Sequence, residues 1–331
     1  MVTITSLAKD ERTARVALAA ILEPDDSVTG RLVAAVGAVE TVRLAAGTGA
    51  LSKKVDAVEG ELWRRKTAPR LDARTVTRAL SETDRLGLRV IVPGDSDWPD
   101  GLNDLGDRVP TALWVRGAGS FLTTPLHDRV TITGARAATG YGEHVAVELA
   151  SDLASSERIV VAGGAYGIDR AAHTAALAAG GQTIAVLAGG LDRLYPAGNH
   201  ELLAGIGDVG LLVSEMAPSA APTKWRFLAR NRILAAISGA TVIVEAGYRS
   251  GSLNVAARAA QLGRPVGAVP GPVTSAASSG THRLLREGIA SLITDAGDVN
   301  VLTRPPAAAN GRAVEHDTGI GHSARRPGRS L

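Results

Sequence analysis

The sequence predicts a doubly wound α/β domain preceded by a small helical one, and three observations carry that reading. Between residues 130 and 294 short apolar runs alternate with segments of helical length, which implies right-handed βαβ crossovers and a mostly parallel sheet covered on both faces. Nearly every apolar run ends in glycine or proline. Residues 10–80 instead read as short helices rich in Ala, Leu and Val.

Taken in order, the N-terminal helices are ERTARVALAAIL, GRLVAAVGAVETVRLAAG and DARTVTRALSETDRLG, with a charged break near Glu61–Lys66. From residue 88 the texture changes to short β-rich runs between turns: LRVIVP, then DWPDGLNDLGDRVPTALWVRG. The alternation then begins. Strand Val130–Thr133 is followed by a helix around 141–155, Ile159–Ala162 by one near 167–179, and Thr183–Leu187 by one after Gly198. Strand Leu211–Glu215 precedes a helix over 225–238, and Thr241–Glu245 precedes one over 253–262. Pro265–Val269 precedes a helix near 280–287 and a last strand at about 290–294. From Pro305 the chain is rich in Gly, Pro, Ala and Arg without apolar periodicity, the composition of a disordered basic tail. The expected division is a helical domain over 1–82, the α/β domain over 83–303 and the tail over 304–331.

Composition excludes several classes of function. With 331 residues, 45% of them hydrophobic, the chain buries at least one large core. It has no long uninterrupted apolar run, and MVTITSLAKDERTAR lacks the layout of a signal peptide. A cytoplasmic protein without a membrane span is therefore expected. The absence of cysteine excludes disulfides, thiolate metal sites and cysteine nucleophiles. The net charge is only +3, and residues 1–303 are neutral overall, but residues 219–264 hold seven cations against Glu245 alone. A patch of that density is an anion-binding candidate.

In an open parallel sheet, ligands bind beyond the carboxyl ends of the strands, where helix N-termini and loop amides converge. The loops at that rim are 133–136, with Gly134 and Arg136; 163–167, with Gly163 and Gly164; 189–192; 215–224; 246–252, with Arg249, Ser250, Gly251 and Ser252; and Pro270-Gly271. Glycine lets a backbone approach an oxygen-rich ligand and present N–H groups to it. Tyr141, Tyr166, Tyr195 and Tyr248 fall on the same rim. Cations for phosphates beside rings for bases are the ingredients of single-strand recognition. Tyr141, Tyr166 and Tyr248 are thus base-stacking candidates, against the alternative that they pack loops onto the sheet; Tyr195, followed by Pro196, reads as loop packing.

The segment KWRFLARNR concentrates the cations at a helix start. Arg230 shares a stripe with Leu234 and Ile237, so it does not sit on a solvated face. Either it is buried against a carboxylate such as Glu245 or Glu215, or it points into the crevice toward an anion. Arg232 lies nearly half a turn away and is suited to a different phosphate, with Lys224 adding a donor to the same place.

Other chemistries fit less well. GARAATG is not a dinucleotide fingerprint, and no phosphate-binding loop of the G-x-x-x-x-G-K-[ST] kind occurs. Asp169 and His173, four apart, lack a third ligand for a metal and read as a capping aspartate and a packed histidine. Ser250 and Ser252 have no histidine nearby in sequence to activate them.

Several spaced motifs together resemble the DNA-processing protein A (DprA, also called Smf) family. They are DSDWPDGLNDL, TGARAATGYG, AGGAYGIDRAAH, TIAVLAGGLDRLYPAGN, LLVSEMAP, the F-x-x-R-N-R segment at Phe227–Arg232, VIVEAGYRSGSLNVAARAA, GRPVGAVPG and SSGTHRLLREG. The resemblance implies an extended Rossmann-like domain that binds single-stranded DNA and helps load the RecA recombinase in natural transformation. It also implies a homodimer with no established catalytic turnover; no cofactor is expected, since GARAATG lacks the dinucleotide pattern. Carried over to this chain, Arg136, the RNR segment (Arg230, Asn231, Arg232) and Ser250–Ser252 line the DNA pocket. The first loop departs from the family's G-S-R, with Ala135 in place of the serine, and residues 1–82 resemble the family's helical, SAM-like domain only loosely. A second architecture that it resembles is the phosphoribohydrolases, nucleotide-binding Rossmann-like enzymes; EAGYRSGSLNVA offers Asn254 and Ala256 where their catalytic glutamate stands.

Overall fold

A computed structural model describes residues 3–304. All of the expected tail but Arg304 lies outside the described residues. The chain opens with five helices: α1 (Ile4–Leu7), α2 (Glu11–Ile21), α3 (Ser27–Ala45), α4 (Ala57–Thr67) and α5 (Ala73–Arg85). Asp10, Asp56 and Asp72 cap α2, α4 and α5 by accepting from backbone amides of the first turn. The charged break expected near Glu61–Lys66 is corrected, since these residues lie inside α4. Glu61 pairs with Arg64 and Arg65 at helical spacing, while Trp63 turns inward and donates its indole N–H to Thr29 at 2.8 Å. The boundary expected after residue 82 falls within α5, whose Ala79 packs with Val16 and Ala19 of α2 into the same core as Trp114 and Leu203.

Strands β1 (Arg89–Ile91) and β2 (Leu113–Gly117) follow, and then the alternation predicted from the sequence. It runs β3 (Arg129–Thr133), α6 (Gly140–Ser155), β4 (Ile159–Ala162), α7 (Ile168–Ala178), β5 (Thr183–Leu187), α8 (His200–Val209), β6 (Leu211–Ser214), α9 (Lys224–Ala236) and β7 (Ala240–Ile243). It closes with α10 (Ser252–Gln261), β8 (Val266–Ala268), α11 (Ser279–Arg286), β9 (Ser291–Leu292) and α12 (Ala296–Leu302). Every residue of β3 to β7 is buried, as expected for apolar runs covered by helices on both faces.

The nine strands form one sheet in the order β1-β2-β6-β5-β4-β3-β7-β8-β9. β2 pairs antiparallel with β1 and β6, and the remaining neighbours are parallel. From β3 the chain steps outward through β4, β5 and β6, then returns to place β7 on the other side of β3. Strand order therefore reverses between β3 and β7, and the loops that leave these two strands diverge there and open a crevice. One face of the sheet packs under α6, α7 and α12, the other under α9 and α10. The extended Rossmann-like, doubly wound architecture is thus the fold of this chain.

Candidate nucleic-acid interface

At that reversal lies an open cleft of about 920 Å³, lined by the loops after β3 and β7 and by the first two turns of α9. It gathers Gly134, Arg136, Lys224, Arg230, Asn231, Tyr248, Arg249, Ser250, Gly251 and Ser252 from segments as much as 118 residues apart, Gly134 to Ser252. Thr223 caps α9 by accepting from the Arg226 amide, and α10 begins at Ser252, so two helix N-termini bring their positive ends to the same rim. The Ser250 and Ser252 hydroxyls lie 2.8 Å apart over the start of α10.

The seven cations of residues 219–264 divide into two groups. Four are paired with acids: Arg226 with Glu23, Arg232 with Glu215 and Asp25, Arg258 with Asp25, and Arg264 with Asp104. Among the described residues the other three, Lys224, Arg230 and Arg249, form no ion pair, and neither does Arg136 across the cleft. These four line it.

Arg232 corrects the sequence expectation. Its side chain is 1% exposed, and its two terminal nitrogens each donate to a Glu215 carboxylate oxygen at 2.7 Å, with Asp25 at 3.4 Å from Nε. Burial pushes this guanidinium down, but the charge and hydrogen bonds of Glu215, with Asp25 behind, outweigh it and hold the pKa above the ordinary arginine value. Arg232 is a structural cation, bound to the carboxylates and unavailable to a phosphate.

Arg230 follows neither expected alternative fully. Glu245, offered as its partner, instead accepts from the backbone and hydroxyl of Thr139 at the start of α6. Arg230 is 7% exposed and uses Nη1 to donate to the carbonyls of Gly163 (2.9 Å) and Val186, while its Nε has no partner. Arg129 shows what a satisfied buried arginine looks like in this fold: it donates to the carbonyls of Ile237, Leu122 and Thr124. Burial pushes the Arg230 guanidinium down to about 10; the Asp169 charge opposes this, and the Arg136 charge adds to it. A cation held in the floor without a carboxylate partner gives the cleft a standing positive potential.

The loop after β4 is also corrected in its role. Its amides were expected to face a ligand, yet those of Gly163 and Ala165 donate inward to the Asp169 carboxylate, which also accepts from Thr133. Asn199 holds the same loop by donating to the carbonyls of Gly164 and Ala165 at 3.0 Å. Gly163 is glycine because an added Cβ would lie 2.2 Å from the Arg230 guanidinium, and Gly164 because its φ is +71°. His173 is packed as expected, its Nδ1 2.7 Å from the Thr183 hydroxyl. No cluster of metal-ligating side chains occurs among the described residues.

The tyrosines separate. Tyr248 lines the cleft, 61% exposed, with the Arg283 guanidinium 4.9 Å from its ring centroid. Tyr141 does not reach the cleft, because its hydroxyl is tethered to the Pro270 carbonyl at 2.5 Å. Tyr166 accepts from the Gly198 amide and walls a small side pocket with Tyr195 and Phe227. Tyr195, read as loop packing, does pack on Phe227 but also lines the cleft. Phe227 was missed from the sequence: its ring carries Arg136 at 4.6 Å and Arg230 at 6.0 Å. The available signal was its place one turn before Arg230, which puts both side chains on one face.

Residues 89–303, well over half the chain, match the family described as DNA recombination-mediator protein A. The chain belongs to that family. A Mycobacterium tuberculosis relative that carries the DprA name is 48% identical over 239 residues, 68% of this chain and 61% of the relative. This chain therefore spans under two thirds of that relative's length. The X-ray structure of DNA processing protein A from Streptococcus pneumoniae superposes with a TM-score of 0.71 at 28% identity, covering 91% of this chain and 98% of that one. DNA processing protein A from Helicobacter pylori, a structure described for its single-stranded DNA binding mode, superposes with a TM-score of 0.59 at 33% identity, covering 65% of this chain and 95% of that one. Both carry the DNA processing protein A name, and this chain shares their fold. No helix among the described residues is long and apolar enough to cross a membrane.

Proposed function

We propose that the cleft binds single-stranded DNA, as the Helicobacter relative does, and that the chain acts by binding rather than by catalysis. The observation that carries this reading is the set of four cations, Arg136, Lys224, Arg230 and Arg249, that converge on one cleft without a carboxylate partner while the other four cations of residues 219–264 are all paired. Phosphates meet these cations and the hydroxyls of Ser250 and Ser252; bases meet Tyr248, Tyr195 and Phe227. Delivery of the bound strand to a RecA-type recombinase, as a homodimer in the cytoplasm, extends the proposal on family grounds.

A nucleotide-cleaving role is disfavoured by what occupies the position of the required acid. Ala256 is fully buried, and Asn254 is engaged with Asn231 through its amide oxygen.

The test is a gel shift with single-stranded and duplex oligonucleotides at two salt concentrations, using wild type and Arg136→Ala. Single strands should bind more tightly than duplex, and loss of Arg136, which makes no ion pair, should weaken them about tenfold with the melting temperature unchanged. Equal binding of both oligonucleotides by the variant and wild type would end the proposal.

A further inference from the structure

The chain has four tryptophans, and three of them are internal. Trp63, Trp98 and Trp114 are buried, each with its indole N–H on an internal acceptor: Thr29, Asn103 and Thr83. Trp225 is the exception, 51% exposed on the first turn of α9, with no hydrogen bond from its indole among the described residues. A surface helix position seldom carries so large a ring without a partner, because half of its apolar area stays in water.

Its place relative to the cleft gives the ring a use. Lys224, Phe227, Leu228 and Asn231 follow one helical face and line the cleft. Leu228, 37% exposed, sits one turn on from Trp225, so an apolar strip runs from the cleft lip across Leu228 to the indole. The charge along this strip has one sign. α9 contains no acidic residue, Lys224 next to Trp225 in sequence is unpaired, and acids that reach α9 from elsewhere are already held, Glu23 by Arg226 and Arg70 and Glu215 by Arg232. An exposed ring beside an unpaired cation, continuous with a basic cleft, matches a polyanion that offers a flat face at each repeat.

We propose that Trp225 is a stacking platform outside the cleft, on which a base of a single strand rests after the strand passes over Leu228. This inference rests on the cleft being a single-strand site. Stacking there is sequence-tolerant, because every base presents a π-face. A protein partner would also value an exposed tryptophan, and the experiment separates the two.

The full-length chain is titrated with oligothymidylates of about four and about twelve nucleotides, lengths within the range of single-strand sites. Binding is followed both by fluorescence anisotropy of a labelled oligonucleotide and by intrinsic tryptophan emission. The longer oligonucleotide should quench the emission of wild type, and Trp225→Phe should lose that quenching while its anisotropy affinity stays within about threefold, since a phenyl ring also stacks. Trp225→Ala should weaken the longer oligonucleotide about 5- to 10-fold and leave the shorter one unchanged. Wild-type binding of both lengths with no quenching, and with Trp225→Ala indistinguishable from wild type, would overturn the platform while leaving the cleft reading intact. Failure of wild type to bind either length would instead remove the cleft reading on which the platform depends.

Discussion

Replacing Arg232 with methionine tests the division of cations into structural and ligand-facing groups. The guanidinium is 1% exposed and bonded to both Glu215 carboxylate oxygens at 2.7 Å. Without it Glu215, its side chain only 11% exposed, is left with no other cation within ion-pair distance among the described residues, while Asp25 keeps Arg108 at 2.9 Å and Arg258 at 3.7 Å. Breaking a buried pair by removing one partner costs about 3–5 kcal/mol. At about 2.1 cal/mol/K of unfolding entropy per residue, a body of about 300 residues shifts by about 1.6 °C per kcal/mol, so the midpoint should fall by about 5–8 °C. The paired change Arg232→Met with Glu215→Leu should recover about half of that loss, because the stranded charge goes too. Single-strand affinity of Arg232→Met, measured well below its transition, should stay within about threefold of wild type. Differential scanning calorimetry and anisotropy on the same preparations decide the matter. A variant that melts within about 2 °C of wild type but loses about tenfold or more in affinity would refute the assignment of Arg232 to the core.

Three further outcomes follow from the same geometry. With three or four phosphates neutralised by Arg136, Lys224, Arg249 and Arg230, a log–log plot of single-strand affinity against salt should have a slope of about −2 to −3; a flat plot would mean that these cations do not meet phosphate. Gly163→Ala places a methyl 2.2 Å from the Arg230 guanidinium, so it should destabilise by about 1–3 kcal/mol and weaken single-strand binding together; an unaltered crystal position for Arg230 would contradict this. Burial, aided by the Arg230 charge, pushes the His173 imidazole from 6.5 down to about 3. Between pH 6.5 and pH 3 the unfolded chain therefore takes up a proton that the folded chain refuses, and stability falls as pH falls, by at most about 1.4 kcal/mol per pH unit from this residue. Melting temperatures at pH 7 and pH 5 should accordingly differ less in His173→Asn than in wild type, and an equal difference in both proteins would show that His173 does not carry the effect.

The α/β alternation was readable because strands buried on both faces are written as unbroken apolar runs, and glycine marks where each ends. Arg136, Lys224 and Arg249 were likewise readable as cations on rim loops. Arg232 was not, because the acids that hold it, Glu215 after β6 and Asp25 more than 200 positions away in sequence, reach α9 only through tertiary packing. Nothing local distinguishes a cation that will be paired from one that will stay free. Phe227 escaped notice for a related reason: a phenylalanine among the apolar positions of α9 looks like core until the loops that leave it half open are in place. The inward turn of the Gly163 and Ala165 amides was also hidden, since a glycine-rich loop reads the same whether its N–H groups serve a ligand or an internal carboxylate such as Asp169.

The reversal of strand order between β3 and β7 has a consequence for synthesis. Val130 pairs with Ala240, and one wall of the cleft is made from residues 247–252. A ribosome that has released β3, β4, β5 and α9 has made Arg136, Lys224 and Arg230, but the opposite wall does not yet exist. Affinity for a nucleic acid strand should thus arise late and abruptly, once the segment around Ser252 has emerged and closed a loop of more than a hundred residues. Nascent chains then stay clear of the polyanions that crowd the translation machinery until the segment around Ser252 is out.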